Sequence, residues 1–248
     1  SMGSWVTRLD GRFNPTLPGA VVVGTGNQHP LSGFLSTQHQ PLKVGAPGKG
    51  LANCEHKGFD EDTFNRNLNL SKNLDQAFVQ KYNLAKVRSY ADIYEDAVRL
   101  MRSKDLDAFD LSQETQGVRD AYGRDNFGQG VLLARRLVEK QVRFVEVQLS
   151  GWDTHNNNYE RVYERCDILD QALSALLDDL HKRGMLEETL VVLATEFGRT
   201  PDYNLNEGRD HYPKAFSCML AGGGVRGGQI WGATDEEGRE VVDGITQI

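Results

Sequence analysis

The hydrophobic pattern of the second half of the chain alternates between helix and strand periodicity, and this alternation limits the possible folds more than any other feature. Residues 130–140 predict a helix, and a strand at 142–149 follows almost at once. Apolar residues recur at steps of three and four across 159–182, which predicts the longest helix. Short β-rich runs follow at 189–195 and 215–221. This order predicts an α/β fold whose mainly parallel sheet carries helices on both faces.

The N-terminal part is less periodic. It contains one clear strand at 20–23, and a helix is predicted over 89–102. We interpret 25–88 as a long irregular insertion, or a cover segment, within a single domain that spans 1–248, because loops of this length are usually functional. Three histidines of this segment could reach the crevice of the sheet, but their spacing assigns them no role: His29, His39 and His56.

Composition excludes several classes of protein. The net charge of −7 argues against nucleic acid or an anionic membrane surface as the main partner. The longest apolar runs, 20–23 and 190–194, are far shorter than the ~20 residues of a membrane span. The three cysteines are widely separated, so neither a disulfide framework nor a thiolate zinc site is predicted. The sequence does not indicate an oligomeric state.

Acidic and histidine side chains follow two of the predicted strands and also occur in a nearby loop. Asp153 and His155 come after the strand at 142–149, Glu196 comes after the strand at 189–195, and Asp210 and His211 lie in the loop. Ligands bind beyond the carboxyl ends of strands in open α/β sheets, so these side chains are candidate ligands of one divalent metal ion. Carboxylate oxygen and imidazole nitrogen suit Zn²⁺ or Mn²⁺, whereas oxygen-rich variants suit Ca²⁺ or Mg²⁺.

Each candidate also has a simpler interpretation. Asp153 precedes a helix and could be its N-cap, and Glu196 could be an exposed carboxylate at a strand end. His155 could be an ordinary surface or core histidine, and Asp210 and His211 could be loop residues without a role in binding. Arg199 and Arg209 flank the candidate site, where each could contact the oxygens of an anionic substrate or pair with one of the site carboxylates.

Several motifs, in order, resemble those of the DUF1501 family, and the resemblance covers nearly the whole chain. They are Gly-Trp-Asp-Thr-His at 151–155, Glu-Phe-Gly-Arg-Thr-Pro at 196–201, Gly-Arg-Asp-His at 208–211 and Ala-Gly-Gly-Gly-Val-Arg-Gly-Gly at 221–228. The family resembles the alkaline-phosphatase/sulfatase-like superfamily, which implies a three-layer α/β/α sandwich with a metal-dependent hydrolase site. By position, the resemblance implies metal ligands at Asp153, His155, Glu196 and His211.

The sequence departs from the superfamily pattern at two motifs. The first ligand pair is Asp-x-His rather than Asp-x-x-x-His, and Glu-Phe replaces the usual Asp-His on the next strand. The superfamily's nucleophile and first metal-binding aspartate lie further toward the N-terminus. We therefore expect this chain to be a fragment with an incomplete fold and only part of a site. Relatives often carry export signals in that N-terminal part, which implies an extracytoplasmic protein, although this chain starts without a signal peptide.

Two functions are compatible with these features. The first is a metal-dependent hydrolase of phosphate or sulfate esters that acts on a small anionic ester, with Arg199 and Arg209 as anion contacts. The alternative is a non-catalytic binding or assembly module that retains the fold.

Overall fold

The computed structural model describes residues 1–24, 29–52, 54, 58, 60–82 and 85–244. Their contacts divide the chain into two compact units. The first consists of Ser1–Asp120 and Arg124–Gln148, and the second of Ala121–Gly123 and Leu149–Ile248. No helix among the described residues is long and apolar enough to cross a membrane.

The first unit contains most of the helices. They are α1 (Met2–Asp10), α2 (Glu61–Tyr82), α3 (Ala85–Met101), α4 (Gln116–Ala121, which ends at the boundary) and α5 (Asn126–Glu139). Its strands are β1 (Ala20–Val23), β2 (Leu42–Val44) and β3 (Phe144–Val147). Short 3-10 helices lie at Thr37–His39, Pro47–Lys49, Lys104–Phe109 and Leu111–Gln113.

A three-stranded parallel sheet forms the centre of the first unit. Its strand order is β2-β1-β3, and every residue of β1 is buried. At Gly3 of α1 an added Cβ would meet Ala20 and Phe144, and at Gly130 of α5 it would meet Val23 and Val147. Successive residues of a strand face opposite sides of the sheet, so α1 and α5 pack on opposite faces.

The second unit is built around one long helix, α6 (Asn158–Lys182). Its strands form antiparallel pairs: β4 (Val191–Leu193) with β7 (Met219–Ala221), β5 (Gly198–Arg199) with β6 (His211–Tyr212), and β8 (Ala233–Thr234) with β9 (Val241–Asp243). Ala172 and Leu180 are the buried apolar residues of α6. Near its C-terminus, the hydroxyl group of Tyr122 donates a hydrogen bond of 3.0 Å to Asp179 Oδ2.

The structure confirms the predicted α/β character and the main elements. The helices predicted at 130–140 and 159–182 correspond to α5 and α6, and the strands predicted at 20–23 and 142–149 correspond to β1 and β3. The described strands form one parallel sheet and several antiparallel pairs, so the prediction of a mainly parallel sheet holds for the first unit alone. The three-layer sandwich and the single domain remain predictions.

The segment 25–88 contains more regular structure than the sequence indicates. Residues 61–82 form α2, although its Asn-rich sequence has low helix propensity. Glu61 and Asp62 in its first turn favour the start of a helix, and the carboxylate of Asp60 accepts a hydrogen bond of 2.7 Å from the backbone N–H of Thr63. His56 and several neighbouring positions of the predicted cover segment lie outside the described residues.

Candidate metal centre

Backbone hydrogen bonds within the second unit join the segment before α6 to the loop between β5 and β6. The N–H of Arg209 donates to the carbonyl of Thr154 at 2.9 Å, and the N–H of Asn158 donates to the carbonyl of Glu207 at 2.9 Å. Gly208 lies so close to this segment that an added Cβ would be 2.0 Å from the carbonyl carbon of His155. These contacts fix the position of 153–158 relative to 204–211.

The β5–β6 pair and Asn204 shape the other side of the site. Arg199 and His211 are direct cross-strand partners, so their side chains lie on the same face of the two-stranded ribbon. The side-chain oxygen of Asn204 accepts hydrogen bonds from the N–H groups of Asn206 (2.9 Å) and Gly208 (3.0 Å). Its amide nitrogen donates to the carbonyl of His155 at 3.1 Å. Asn204 therefore both forms the turn and attaches it to the neighbouring segment.

Three potential metal-ligand atoms meet at this junction. Asp153 Oδ1 lies 3.1 Å from His155 Nε2 and 3.1 Å from His211 Nε2. The two histidine Nε2 atoms are 3.2 Å apart. All three side chains are exposed, and they form a group of possible metal ligands among the described residues. The three atoms thus form a nearly equilateral triangle that is open to solvent.

Asp210 contacts the ring nitrogen of His155 that lies outside this triangle. His155 Nδ1 is 2.8 Å from Asp210 Oδ1. An ionised carboxylate only accepts hydrogen bonds, and a carboxylate oxygen lies beside each ring nitrogen of His155, Asp210 at Nδ1 and Asp153 at Nε2. Metal binding through Nε2 requires the tautomer with its proton on Nδ1, and Asp210 is placed to accept that proton's hydrogen bond. The hydrogen bonds from His155 and from Asn204 hold the pKa of Asp210 below its usual value. A carboxylate that orients a histidine in this way is the usual outer partner of a metal-binding imidazole.

Arg199 provides a positive charge next to the cluster. Its Nη1 atom lies 2.8 Å from Asp153 Oδ1, and its guanidinium lies over the ring of Phe197 at 5.6 Å. The bond from Arg199, together with that from His211, lowers the pKa of Asp153 from its usual value. Asp153 is therefore ionised at neutral pH and provides a negatively charged ligand oxygen.

The separations within the triangle match those expected around a small tetrahedral ion. Ligand atoms at about 2.0 Å from a tetrahedral metal lie about 3.3 Å from each other, close to the 3.1–3.2 Å observed here. Two imidazole nitrogens and one carboxylate oxygen are also a typical zinc donor set with one open position. By both geometry and chemistry, these residues fit a zinc-like ion.

The structure brings together part of the set that the sequence suggested. Asp153, His155 and His211 converge, whereas Asp210 lies outside their triangle and contacts Nδ1 of His155. Glu196 is exposed and does not belong to the cluster of described residues. The N-cap of α6 is Asn157, so the interpretation of Asp153 as a helix cap is wrong.

The two arginines have different environments. Arg199 pairs with a site carboxylate, as one of its two interpretations requires. Arg209 Nη1 instead donates to the carbonyl of Thr200 at 2.9 Å, and its guanidinium stacks on the ring of Tyr203 at 4.6 Å. Of the two candidate anion contacts, Arg199 is therefore the one that touches the cluster.

Sequence reasoning missed two residues that support the site. Asn204 organises the loop, and the ring of Phe197 lies 4.6 Å from the ring of His211. The pattern Asn-x-Asn-x-Gly at 204–208 was the available signal for the first, because Asn accepts bonds from backbone N–H groups two residues on and Gly is typical of turns. No sequence signal distinguished Phe197 from an ordinary core residue.

Comparisons with known proteins place the chain in a family. No curated protein and no solved structure matches it. The family model named DUF1501, described as a protein of unknown function, matches residues 1–248. Because this match extends over the whole sequence, the chain belongs to the DUF1501 family.

Proposed function

We propose that this protein is a metal-dependent hydrolase of small phosphate or sulfate esters. The observation that carries the proposal is the triangle of Asp153 Oδ1, His155 Nε2 and His211 Nε2, with sides of 3.1–3.2 Å. The motif resemblance to the alkaline-phosphatase/sulfatase-like superfamily supports the same function, and with it a three-layer sandwich and an extracytoplasmic location.

Different residues of the chain would bind the metal ion and position its ligands. Asp153, His155 and His211 would hold a divalent ion, and Asp210 would keep His155 in the tautomer that can bind it. When bound, the ion supplies Lewis acidity, which stabilises negative charge on the ester oxygens and lowers the pKa of the attacking group.

Arg199 would bind the anionic part of the substrate. Its guanidinium already faces the site through Asp153, and its planar fork matches the oxygens of phosphate and sulfate. The exposure of the three ligand side chains leaves room for an ester to approach from solvent. Glu196 and Arg209 remain sequence predictions without a contact to the cluster.

Metal titration and ester hydrolysis test the proposal in the same preparation. The purified full chain should bind about one equivalent of zinc and release nitrophenol from p-nitrophenyl phosphate or p-nitrophenyl sulfate. His211→Ala should abolish turnover and weaken zinc binding at least about tenfold. His181→Ala is the matched control, because His181 is an exposed histidine in the last turn of α6 and should change neither measurement.

Two results would overturn the proposal. Less than about a tenth of an equivalent of zinc, manganese, calcium or magnesium at saturation would remove the metal centre. Stoichiometric zinc binding without hydrolysis of either ester would instead favour the alternative, a non-catalytic binding module.

A further inference from the structure

A polar cleft lies in the first unit, where α1, α3 and the 3-10 helix Thr37–His39 come together. Its volume is about 350 Å³. The polar side chains that line it include Arg12, Gln38, His39, Asp96 and Arg99. None of these residues belongs to the candidate metal centre, so the cleft needs its own explanation.

The residues that line this cleft carry two positive charges, on Arg12 and Arg99, and two negative charges, on Glu95 and Asp96. Lys72 and Arg8 add positive charge around it. Arg12 and Arg99 both pair with Asp96, and the Arg99 contact is 3.0 Å long. The other acidic lining residue, Glu95, lies 3.1 Å from Lys72 Nζ. Two guanidinium groups therefore share one carboxylate, with Arg12 partly exposed and Arg99 about half exposed.

His39, on the 3-10 helix that lines the cleft, lies within the influence of two of these cations. Burial lowers the pKa of His39, and the positive charges of Arg8 and Arg12 lower it further. Among the described residues, no acidic side chain pairs with Arg8, which is exposed near the end of α1. Arg8 of α1 and Arg12 just after it therefore act on the 3-10 helix, while Glu95, Asp96 and Arg99 line the cleft from α3.

We propose that this cleft binds a small, multiply charged oxyanion of the phosphate or sulfate type. Guanidinium groups bind such anions through paired N–H donors, and a half-buried location strengthens the interaction relative to open water. An arriving dianion would compete with Asp96 for Arg12 and Arg99 and would offset the positive charge near His39. The volume is sufficient for inorganic phosphate or for the head of a phosphate monoester.

Histidine NMR on the full chain tests the proposal. The sample is treated with EDTA first, so that a metal ion near Asp153 cannot contribute to anion binding. Inorganic phosphate should shift the ring signals of His39 saturably and raise the pKa of His39, whereas chloride at equal ionic strength should do neither. A parallel titration with glycerol phosphate distinguishes the free anion from a monoester as the preferred ligand.

Three variants make the test specific. Arg12→Gln should weaken phosphate binding about tenfold, since it removes a charge-assisted contact. Asp96→Asn should strengthen binding, because it releases both guanidinium groups from their competing carboxylate. Arg66→Gln is the matched control: this arginine is exposed on α2, where it donates to Thr63 Oγ1 at 2.9 Å, so its loss should leave binding unchanged.

The outcomes that contradict the proposal are equally specific. An identical response of His39 to chloride and phosphate, or equal weakening in Arg12→Gln and Arg66→Gln, would show screening of the overall charge rather than a site. Weaker binding in Asp96→Asn would also overturn it. If Arg12→Gln loses its helical circular dichroism, Arg99→Gln takes its place with the same expectation.

Discussion

His155 has two different partners on its two ring nitrogens. Nε2 faces Asp153 and His211, whereas Nδ1 faces Asp210, which Asn204 in turn holds with a hydrogen bond of 3.1 Å. Asp210 can therefore affect metal binding by positioning His155, without itself being one of the three candidate ligands. This arrangement separates a residue that positions a ligand from the ligands themselves.

Replacing Asp210 by Asn tests this positioning role. The amide can donate to Nδ1, which would favour the wrong tautomer of His155 and place a proton on Nε2. We expect zinc affinity to fall about 10- to 100-fold. Isothermal titration measures the affinity, and Asp202→Asn is the control, because Asp202 is an exposed carboxylate of the second unit that pairs with Arg239. Equal affinity in wild type and Asp210→Asn would contradict the role.

Gly208 tests whether the site depends on close backbone approach. An alanine Cβ would lie 2.0 Å from both the carbonyl carbon and the carbonyl oxygen of His155, so the two segments would have to separate. We expect Gly208→Ala to reduce zinc affinity by at least about tenfold. The matched control is Gly227→Ala, where nothing lies within 4 Å of the added Cβ and binding should not change.

At the scale of elements, α5 is held by a buried ionic contact. Arg135 is 2% exposed at its side chain, and its Nη2 atom lies 2.9 Å from Glu114 Oε1. Arg136 binds the same oxygen at 2.6 Å. Burial raises the pKa of Glu114, but the two arginines outweigh this effect and the net shift is downward. The carboxylate therefore attaches the 3-10 segment before α4 to α5.

Removing this carboxylate should destabilise the first unit. Glu114→Gln removes the carboxylate that Arg135 and Arg136 share, and we expect a loss of about 3 kcal/mol, measured by native-state hydrogen exchange of the α5 amides. The lowered pKa of Glu114 means that its contribution is fully present above the usual value of 4.5 and disappears as pH falls through the folded-state pKa. The variant's deficit should therefore shrink in acid.

An exposed ion pair provides the control for this prediction. Glu61 pairs with Arg102 at 3.0 Å, and both side chains are about half exposed. Glu61→Gln should cost less than about 0.5 kcal/mol at neutral pH. Similar costs for the two substitutions, or a deficit in Glu114→Gln that grows as pH falls, would contradict the assignment.

At the scale of the whole molecule, the candidate metal ligands all come from the second of the two compact units. Zinc at about 100 times its Kd should stabilise the conformation that binds it by about 2.7 kcal/mol. Hydrogen–deuterium exchange should therefore slow at 153–158 and 204–212 on adding zinc, with β1 and α5 unchanged. Slowing spread evenly over both units, or confined to the first, would contradict a metal centre at Asp153.

The sequence predicted elements better than their assembly. The apolar stripes of α5 and α6 and the buried run of β1 are properties of neighbouring residues, so they could be found without a structure. The helix α2 was missed because its stability does not come from intrinsic propensity. The pairing of β4 with β7 could not be predicted because strand direction depends on contacts between distant residues.

The sequence by itself determined the residue types of the candidate site and the helices and strands near them. Only the tertiary structure decided which atoms meet. Asp153 and His211 are in contact although they are 58 residues apart in the sequence. Asp210 contacts His155 Nδ1 rather than joining the triangle, and Glu196 lies outside the cluster. The physical reason is the distance along the sequence over which each kind of interaction acts. Periodicity and propensity are local, whereas this convergence depends on the antiparallel register of β5 and β6 and on a turn that admits only glycine at 208.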